Sequence, residues 1–464
     1  MPGVLCIRGT FAHTPHLGDL KILQDYLLVT DMSGVIIHFQ PAQNPESQTV
    51  LQKSPPCVIL PSGTLILPNF VDLHLHAAQF LYQGNGLDLP LMEWLNEYAF
   101  KAEERLDGDP RLARTVYTRL ARRLIENGTG TVLLFGTIME ETNLILAEVM
   151  QAAGLRAFVG KLSMDISSRP SYKESSMETS YQAAQSFVEK CRALTANLPS
   201  HERLVEPVLT PRFVPTCSDS LLSALGKLST TENLKIQSHL AEALDQVEYV
   251  RNERGADDME VFDRSGLLTP RTIQAHCTFL DVPSLEHIHF CGTAIAHCPL
   301  SNSYFSAEPF RLREALDEGV KVGLGTDVAG GYSLDLMNSM RHAVSVSRMR
   351  QGSKQLRAGS DGKSLAIDWK ESLYLATKGG ATALGLATGV FGVGLPFDAQ
   401  EVRLFDLSAR MGVGALDFFD LEAGGSENAK TLTIDMIEKW WCLGDARNRV
   451  SMWVQGAKLD IFPL

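Results

Sequence analysis

The chain has 464 residues, 45% of them hydrophobic, and a formal net charge of −12. An acidic balance without a block of Lys or Arg disfavours binding to nucleic acid or to an anionic membrane, and no apolar run reaches the roughly 20 residues that span a bilayer. Eight cysteines without a Cys-x-x-Cys pair, and a start without the apolar core of a signal peptide, predict a reducing, cytoplasmic location.

The first segment of the chain has the chemistry of strands. Residues 20 to 66 form short alternating runs separated by Gly, Pro, Ser and Asn. This pattern predicts strands without helices.

The middle of the chain repeats a strand followed by a helix, from Val71 to about Arg350. The predicted strands end at His74, Phe135, Leu162, Leu209, His239, His276, His297 and Gly325. Eight such repeats predict a closed (β/α)8 TIM-like barrel.

Strand-like segments return near the end of the chain. A helical pattern over residues 371 to 386 runs into Gly-rich turns, and strands are predicted at 402 to 405 and 450 to 454. Residues 352 to 363 and 422 to 429 are polar and Gly-rich, which predicts surface loops. We therefore expect a small β-sandwich domain composed of residues 1–66 and 390–464, and a catalytic barrel over 67–389.

Metal-type ligands close several of the predicted strands. His74 and His76 alternate with Leu75, so both side chains point to the same face. His239, His276 and Asp327 end other strands, and parallel barrel strands deliver their C-terminal residues to one face. A single histidine after a strand is more often structural, but this repetition favours a metal site, and imidazole suits zinc.

Several longer motifs resemble the amidohydrolase superfamily and, within it, the guanine deaminase family. The His-x-His pair and the late aspartate are typical of the superfamily, whereas Asp-Leu-Pro-Leu-x-x-Trp-Leu and Thr-Pro-Arg-Phe narrow the resemblance. The motifs span most of the chain, at Phe70 to Gln79, Asp88 to Leu95, Thr210 to Phe213, Gln237 to Glu242, Ala296 to Pro299 and Gly325 to Tyr332.

The resemblance implies a zinc-dependent hydrolysis of guanine to xanthine and ammonia by a homodimer. One Zn²⁺ per subunit would be bound by His74, His76, His239 and Asp327. His276 would lie near the metal's water, and Asp327 would also accept a proton from it. Glu242 would protonate the purine ring, although a first-turn acid favoured by the helix dipole is the alternative.

The resemblance also implies a purine-binding set: Gln79, Arg212 and Phe213, with His239 and Asp327 at the reacting carbon. The structural alternatives are a helix-start polar residue for Gln79 and a surface ion pair for Arg212. Asp88 and Trp94 are expected to shape a loop over the pocket, Asp72 to orient its neighbours and His297 to be structural.

Two other functions remain open on the sequence. A deaminase of another aminated heterocycle, such as a different purine, a pterin or a triazine, would keep the metal ligands and change the three purine-binding residues. A non-catalytic barrel scaffold would be expected to lose metal ligands, and here all of them are present.

Overall fold

The computed structural model describes residues 4–53, 56–306, 308–358, 362–422 and 431–460. Its two large sheets are a barrel sheet of nine strands and a terminal sheet of eight, and a two-stranded hairpin completes the described strands. Within these ranges every helix is too short or not apolar enough to cross a bilayer.

The N-terminal strands begin the terminal sheet. They are β1 Cys6–His16, β2 Asp19–Thr30, β3 Ile36–Pro41, β4 Val58–Ile59 and β5 Thr64–Pro68. Helix α1, Pro45–Lys53, interrupts this segment, so the prediction of strands without helices was wrong there. Proline in the first turn, Glu46 near the N-terminus and Lys53 near the C-terminus favour a helix at these positions.

The barrel follows in unbroken chain order, with β9 as a short addition beside β10. Its strands are β6 Phe70–His76, β7 Thr129–Phe135, β8 Arg156–Gly160, β9 Leu162–Ser163, β10 Val205–Pro211, β11 Lys235–Leu240, β12 Thr272–His276, β13 Ala294–His297 and β14 Lys321–Leu324. Neighbouring strands pair in parallel.

Hydrogen bonds close the barrel just beyond β14. The Asp327 amide donates to the His74 carbonyl over 2.8 Å, and the His76 amide donates to the Val328 carbonyl over 3.0 Å. The predicted (β/α)8 barrel is therefore confirmed, and the closing bonds join two of the segments that carry the predicted metal ligands.

Helices cover the outside of the barrel and extend over its C-terminal mouth. They are α2 Leu91–Trp94, α3 Phe100–Asp107, α4 Pro110–Glu126, α5 Glu140–Ala153, α6 Met177–Thr195, α7 Asp219–Glu232, α8 Leu244–Arg254, α9 Asp258–Arg264, α10 Val282–Cys291, α11 Pro299–Phe305, α12 Leu312–Asp317, α13 Leu336–Ala358, α14 Trp369–Tyr374 and α15 Gly380–Ala383.

Helix α13 corrects the predicted loop over residues 352 to 363. It continues to Ala358, and residues 359–361 lie outside the described ranges. Gln, Lys, Leu and Arg are good helix formers, and one glycine at Gly352 costs only about 1 kcal/mol. Polarity and a glycine were therefore a weak guide to a loop in this segment.

The last strands return to the terminal sheet. They are β15 Ala399–Arg403 and β18 Arg449–Val454 to β19 Ala457–Leu459, with the hairpin β16 Phe405–Asp406 and β17 Met411–Gly412 between them. The sheet order is β19-β18-β15-β5-β1-β2-β3, so β15 pairs with β5 and joins the two ends of the chain. Helices α16 Phe419–Glu422 and α17 Ile434–Leu443 lie in the same segment. The predicted loop at 422–429 lies outside the described residues except for Glu422.

The base of the barrel is filled, which leaves its C-terminal mouth for a site. Ala381, Ala383 and Leu384 pack with inward-facing residues near the strand starts, including Val71 and Ala294. The base is crowded: a Cβ added to Gly323 on β14 would lie 2.7 Å from the Cα of Gly380.

Candidate active site

Four of the predicted ligands converge at the C-terminal mouth of the barrel. The Nε2 atoms of His76 and His239 lie 3.1 Å apart. Asp327 Oδ1 lies 3.1 Å from His74 Nε2 and 3.4 Å from His76 Nε2. Ring nitrogens of the three histidines all lie within 4.8 Å of one another. The barrel therefore brings together side chains from β6, β11 and the turn after β14.

The turns around this cluster have unusual backbone conformations. The angle φ is +70° at His276, +54° at Cys277, +49° at Asp327 and +47° at Ala241, which precedes Glu242. A non-glycine residue in this left-handed region costs on the order of 1–3 kcal/mol. Such strain is typical of active sites, where the surrounding packing holds a side chain in a required direction.

The protonation of the histidines fits a bound metal ion. Burial lowers the pKa of His74, His76 and His239 well below the ordinary value, so the rings are neutral. His239 Nδ1 lies 2.6 Å from the Arg212 carbonyl, which can only accept, so Nδ1 carries the proton and Nε2 keeps its lone pair. Within the described residues the buried His74 Nε2 forms no hydrogen bond, and its near neighbour is the Asp327 carboxylate at 3.1 Å. These nitrogens and the Asp327 carboxylate are donors that Zn²⁺ prefers.

Glu242 and His276 lie beside the cluster, the first with a carboxyl that favours its protonated form and the second with an unprotonated ring nitrogen. His276 Nε2 lies 3.6 Å from Glu242 Oε1 and 3.7 Å from Asp327 Oδ2. Burial, reinforced by the charge of Asp327, raises the pKa of Glu242 well above its ordinary range, which favours the protonated carboxyl. The Asn302 amide oxygen accepts from His276 Nδ1 over 2.9 Å, which leaves Nε2 unprotonated toward the site.

A hydrogen-bond chain positions Glu242 from behind. Its backbone amide donates to Gln246 Oε1 over 2.8 Å, and Gln246 Nε2 donates to Asp258 Oδ1 over 2.6 Å. On the other side, the Ser306 hydroxyl donates to the Glu242 carbonyl over 2.6 Å. The turn after β11 is therefore attached to α8, through α8 to the start of α9, and to the C-cap of α11, which restricts where the carboxyl can point.

One pocket joins the metal-type cluster to the predicted purine-binding residues. Polar groups of His76, Gln79, Arg212, His239, Glu242 and Asp327 line it, and its apolar lining is Leu91, Trp94, Leu95, Phe213 and Phe305. Apolar walls with a few directional polar groups suit a flat, polar heterocycle. Trp94 lies where the sequence predicted a residue that shapes the pocket.

Comparisons with known proteins agree with this geometry. A model of the amidohydrolase family matches residues 65–433. The guanine deaminase of Mus musculus is 37% identical over 99% of this chain and 98% of its own length, and that of Homo sapiens is 38% identical over 98% and 96%. The chain belongs to the guanine deaminase family of amidohydrolases. Among solved structures, the guanine deaminase of C. acetobutylicum with guanine bound in its active site superposes with a TM-score of 0.85. It is 28% identical, over 99% of this chain and all of the other.

This amidohydrolase also contains an active-site acid that was not predicted from the sequence. Glu103 is fully buried, and its Oε2 and Oε1 accept from the Arg212 guanidinium over 2.5 and 3.1 Å. Glu103 Oε1 also accepts from Gln79 Nε2 over 2.8 Å, while Gln79 Oε1 accepts from the Ala329 amide over 3.2 Å. One carboxylate thus fixes two of the predicted purine-binding side chains, Gln79 and Arg212, and neutralises the buried arginine. Arg212 is in an ion pair, as the structural alternative for this residue required, but the pair is buried and not on the surface.

A sequence signal for Glu103 existed but was weak. Phe100, Glu103 and Leu106 share the buried face of α3 at a spacing of three residues. A carboxylate on an otherwise apolar helix face requires a partner, because an isolated buried charge is costly. Its partner Arg212, 109 residues away, became identifiable only in the structure.

The structure also shows the contacts of Asp72 and His297, which were predicted to be an orienting residue and a structural residue. Asp72 accepts from the amides of His74 and Thr326 over 3.1 and 3.0 Å, and from the Thr326 hydroxyl over 2.6 Å. It thus orients the strands on both sides of the barrel closure. His297 is buried beside Phe310, with ring centroids 5.1 Å apart.

Proposed function

We propose that this amidohydrolase hydrolyses guanine to xanthine and ammonia. The observation that carries the proposal is that one buried pocket joins a His-His-His-Asp cluster and Glu242, whose pKa is raised by burial, to the Gln79–Glu103–Arg212 network. The first part supplies hydrolysis, and the second supplies directional groups for a purine. The mouse and human relatives bear the same activity in their names.

We propose Zn²⁺ as the metal, one per subunit, held by His74, His76, His239 and Asp327. When bound, such an ion lowers the pKa of a water molecule toward neutrality and supplies the nucleophile. The neutral state of the three rings supports this assignment, because only an unprotonated imidazole nitrogen can ligate.

The carboxyl groups transfer the protons. As the water oxygen adds to C2 of guanine, Asp327 accepts a proton from the water and Glu242 donates its proton to the neighbouring ring nitrogen. Asp327 then protonates the amino group, which leaves as ammonia, while the new hydroxyl returns a proton to Glu242 as the carbonyl of xanthine forms. Acid-base assistance of this kind is worth about 10²–10⁴ in rate. Unprotonated His276 Nε2 lies within 4 Å of both carboxylates and is placed to stabilise the proton between them.

Recognition of the purine rests on Arg212, Gln79 and Phe213. A guanidinium offers five donors in a rigid fork, of which Glu103 occupies two, so donors remain for a carbonyl oxygen or ring nitrogen. The amide of Gln79 is oriented by Glu103 and Ala329 and adds a directional contact. Phe213 and Trp94 provide apolar contact for the ring faces.

We further propose the organisation and setting of the enzyme. The small domain would comprise residues 1–66 and 390–464 and the barrel 67–389, which the pairing of β15 with β5 supports. Homodimerisation follows from the family resemblance, and eight scattered cysteines without a Cys-x-x-Cys pair support a reducing cytoplasm. The enzyme would bind a small purine as its substrate, and neither nucleic acid nor a membrane.

A substrate panel tests the proposed function. Ammonia release by the zinc-loaded protein would be measured with guanine, adenine, cytosine and ammeline under one set of conditions. We expect guanine to be preferred by orders of magnitude, because only guanine combines an amino group at C2 with a neighbouring carbonyl edge in a purine. Preference for ammeline or adenine would assign the site to another aminated heterocycle, and release from none would favour the non-catalytic scaffold.

A further inference from the structure

A second group of metal-type ligands lies on the outside of the barrel, between helices α9 and α10. His287 and Cys291 are four residues apart on α10 and so lie on the same face of the helix. Asp263 reaches them from the last turn of α9. One ligand atom from each residue lies within 4.8 Å of the others. These residues belong to different elements from the catalytic pocket.

Two of the distances within this group match those between ligands of one ion, and the third lies within 4.8 Å. His287 Nε2 lies 3.4 Å from Asp263 Oδ1 and 3.5 Å from Cys291 Sγ. In a tetrahedral zinc site, bonds of about 2.0–2.3 Å place neighbouring N, O and S ligands about 3.4–3.6 Å apart.

A proton relay fits the geometry of these three side chains less well than a metal site does. A relay of the Cys-His-Asp type uses opposite nitrogens of the imidazole, one toward the thiol and one toward the carboxylate. Here both neighbours face the same atom, His287 Nε2, which carries at most one proton and cannot bond well to both. A cation placed between the three groups satisfies all of them.

We propose that Asp263, His287 and Cys291 form a second, non-catalytic site for a divalent transition-metal ion such as Zn²⁺, with water in the fourth position. A set of one imidazole, one thiolate and one carboxylate suits a borderline ion and disfavours Mg²⁺ or Ca²⁺, which prefer oxygen. The bound ion would join α9 to α10. Since Asp258 at the start of α9 holds Gln246 behind Glu242, the ion would stabilise a helix that supports the active site.

Metal titration of the whole protein tests this site without using guanine. The chain would be freed of metal with a chelator and titrated with Co²⁺ and then Zn²⁺, with bound metal counted per subunit. Wild type should bind two ions, and the second Co²⁺ should produce a near-ultraviolet thiolate-to-cobalt band. Cys291→Ser and His287→Asn should weaken the second ion on the order of 10–100-fold or more, since even changes to groups that only orient the ligands cost that much. Cys291→Ser should also abolish the band.

Cys442→Ser is the matched control, because Cys442 is the exposed free cysteine of the described chain and belongs to none of its metal-type clusters. It should retain two ions and the band. A wild type that binds a single ion would overturn the proposal. A second ion that Cys291→Ser and His287→Asn bind with the same affinity as wild type would also overturn it and would be an adventitious ion only. Failure of guanine turnover would leave these measurements unchanged, so the two proposals fail separately.

Discussion

The substitution Glu103→Gln tests whether the proposed substrate-binding side chains Gln79 and Arg212 are held by one buried carboxylate. The change preserves shape and removes the negative charge that faces the Arg212 guanidinium at 2.5 and 3.1 Å. The new amide can still face Gln79, but one of the two carboxylate oxygens is replaced by an NH₂ group, which only donates. Arg212 then has a mismatched contact and an uncompensated charge in a site where it is 1% exposed.

The structure sets the expected size of both effects. Breaking a buried ion pair by neutralising one partner costs about 3–5 kcal/mol, a large part of the 5–15 kcal/mol that stabilises a typical domain. For the folded fraction, a misplacement of about 1 Å in the groups that orient the substrate costs about 10² in rate. An unpaired arginine should also attract anionic purines. We therefore expect kcat/KM for guanine to fall about 10²-fold and inhibition by the acidic product xanthine to become stronger.

The assay combines thermal unfolding, steady-state kinetics with guanine and inhibition by xanthine at a pH where part of it is ionised. Glu104→Gln is the control, since Glu104 is the next residue and its surface pair with Arg169 is 32% and 31% exposed. Surface pairs contribute about 0–1 kcal/mol, so this variant should resemble wild type. Stronger xanthine inhibition would not follow from simple loss of structure. A Glu103→Gln enzyme with wild-type kcat/KM and xanthine affinity would show that Glu103 does not hold the proposed substrate-binding side chains.

Three further predictions concern the surroundings of the site. Asn302→Ala removes the acceptor of the His276 proton and should lower kcat about 10–100-fold with metal content unchanged, as measured by kinetics and metal analysis. Burial raises the pKa of Asp258 from 3.8 to about 7. Between about pH 4 and 7 this carboxyl loses its proton in the unfolded chain but keeps it in the folded protein, so the free energy of unfolding of wild type should fall as pH rises. In denaturant unfolding, Asp258→Asn should remove up to about 4 kcal/mol of this dependence. Removal of the metal with a chelator should abolish guanine turnover and lower the melting temperature. A ligand that binds only the folded state stabilises it by about 2.7 kcal/mol at 100 times its Kd. Added Zn²⁺ should restore both the turnover and the melting temperature.

The barrel could be predicted because its strands are apolar runs with a common ending. Parallel strands deliver their last residues to one face, so His74, His239 and His276 could be placed together without any pairing information. Asp327, which follows β14 by three residues, could be placed with them for the same reason. Local pattern was sufficient because the topology repeats.

Other features could not be predicted, either because they depend on contacts between distant segments or because their local composition resembles that of a loop. The partners of Glu103 lie 24 and 109 residues away, and nothing near α3 in the sequence identifies them. Helix α1 was hidden by its polar composition, which resembles a loop. The extension of α13 through Gly352 was missed because a polar stretch with glycine also resembles a loop, although the helix formers around Gly352 outweigh its cost.

The proposed catalysis depends on Glu242 as the proton donor of a metal-dependent guanine deaminase. The decisive comparison is between zinc-loaded wild type and Glu242→Gln in the conversion of guanine to xanthine, followed by absorbance, with bound zinc measured in both. We predict rapid conversion by wild type and a kcat about 10²–10⁴ lower in the variant at equal zinc content. Equal rates in the two proteins would contradict the role of Glu242, and no conversion by zinc-loaded wild type would contradict the assignment of guanine itself.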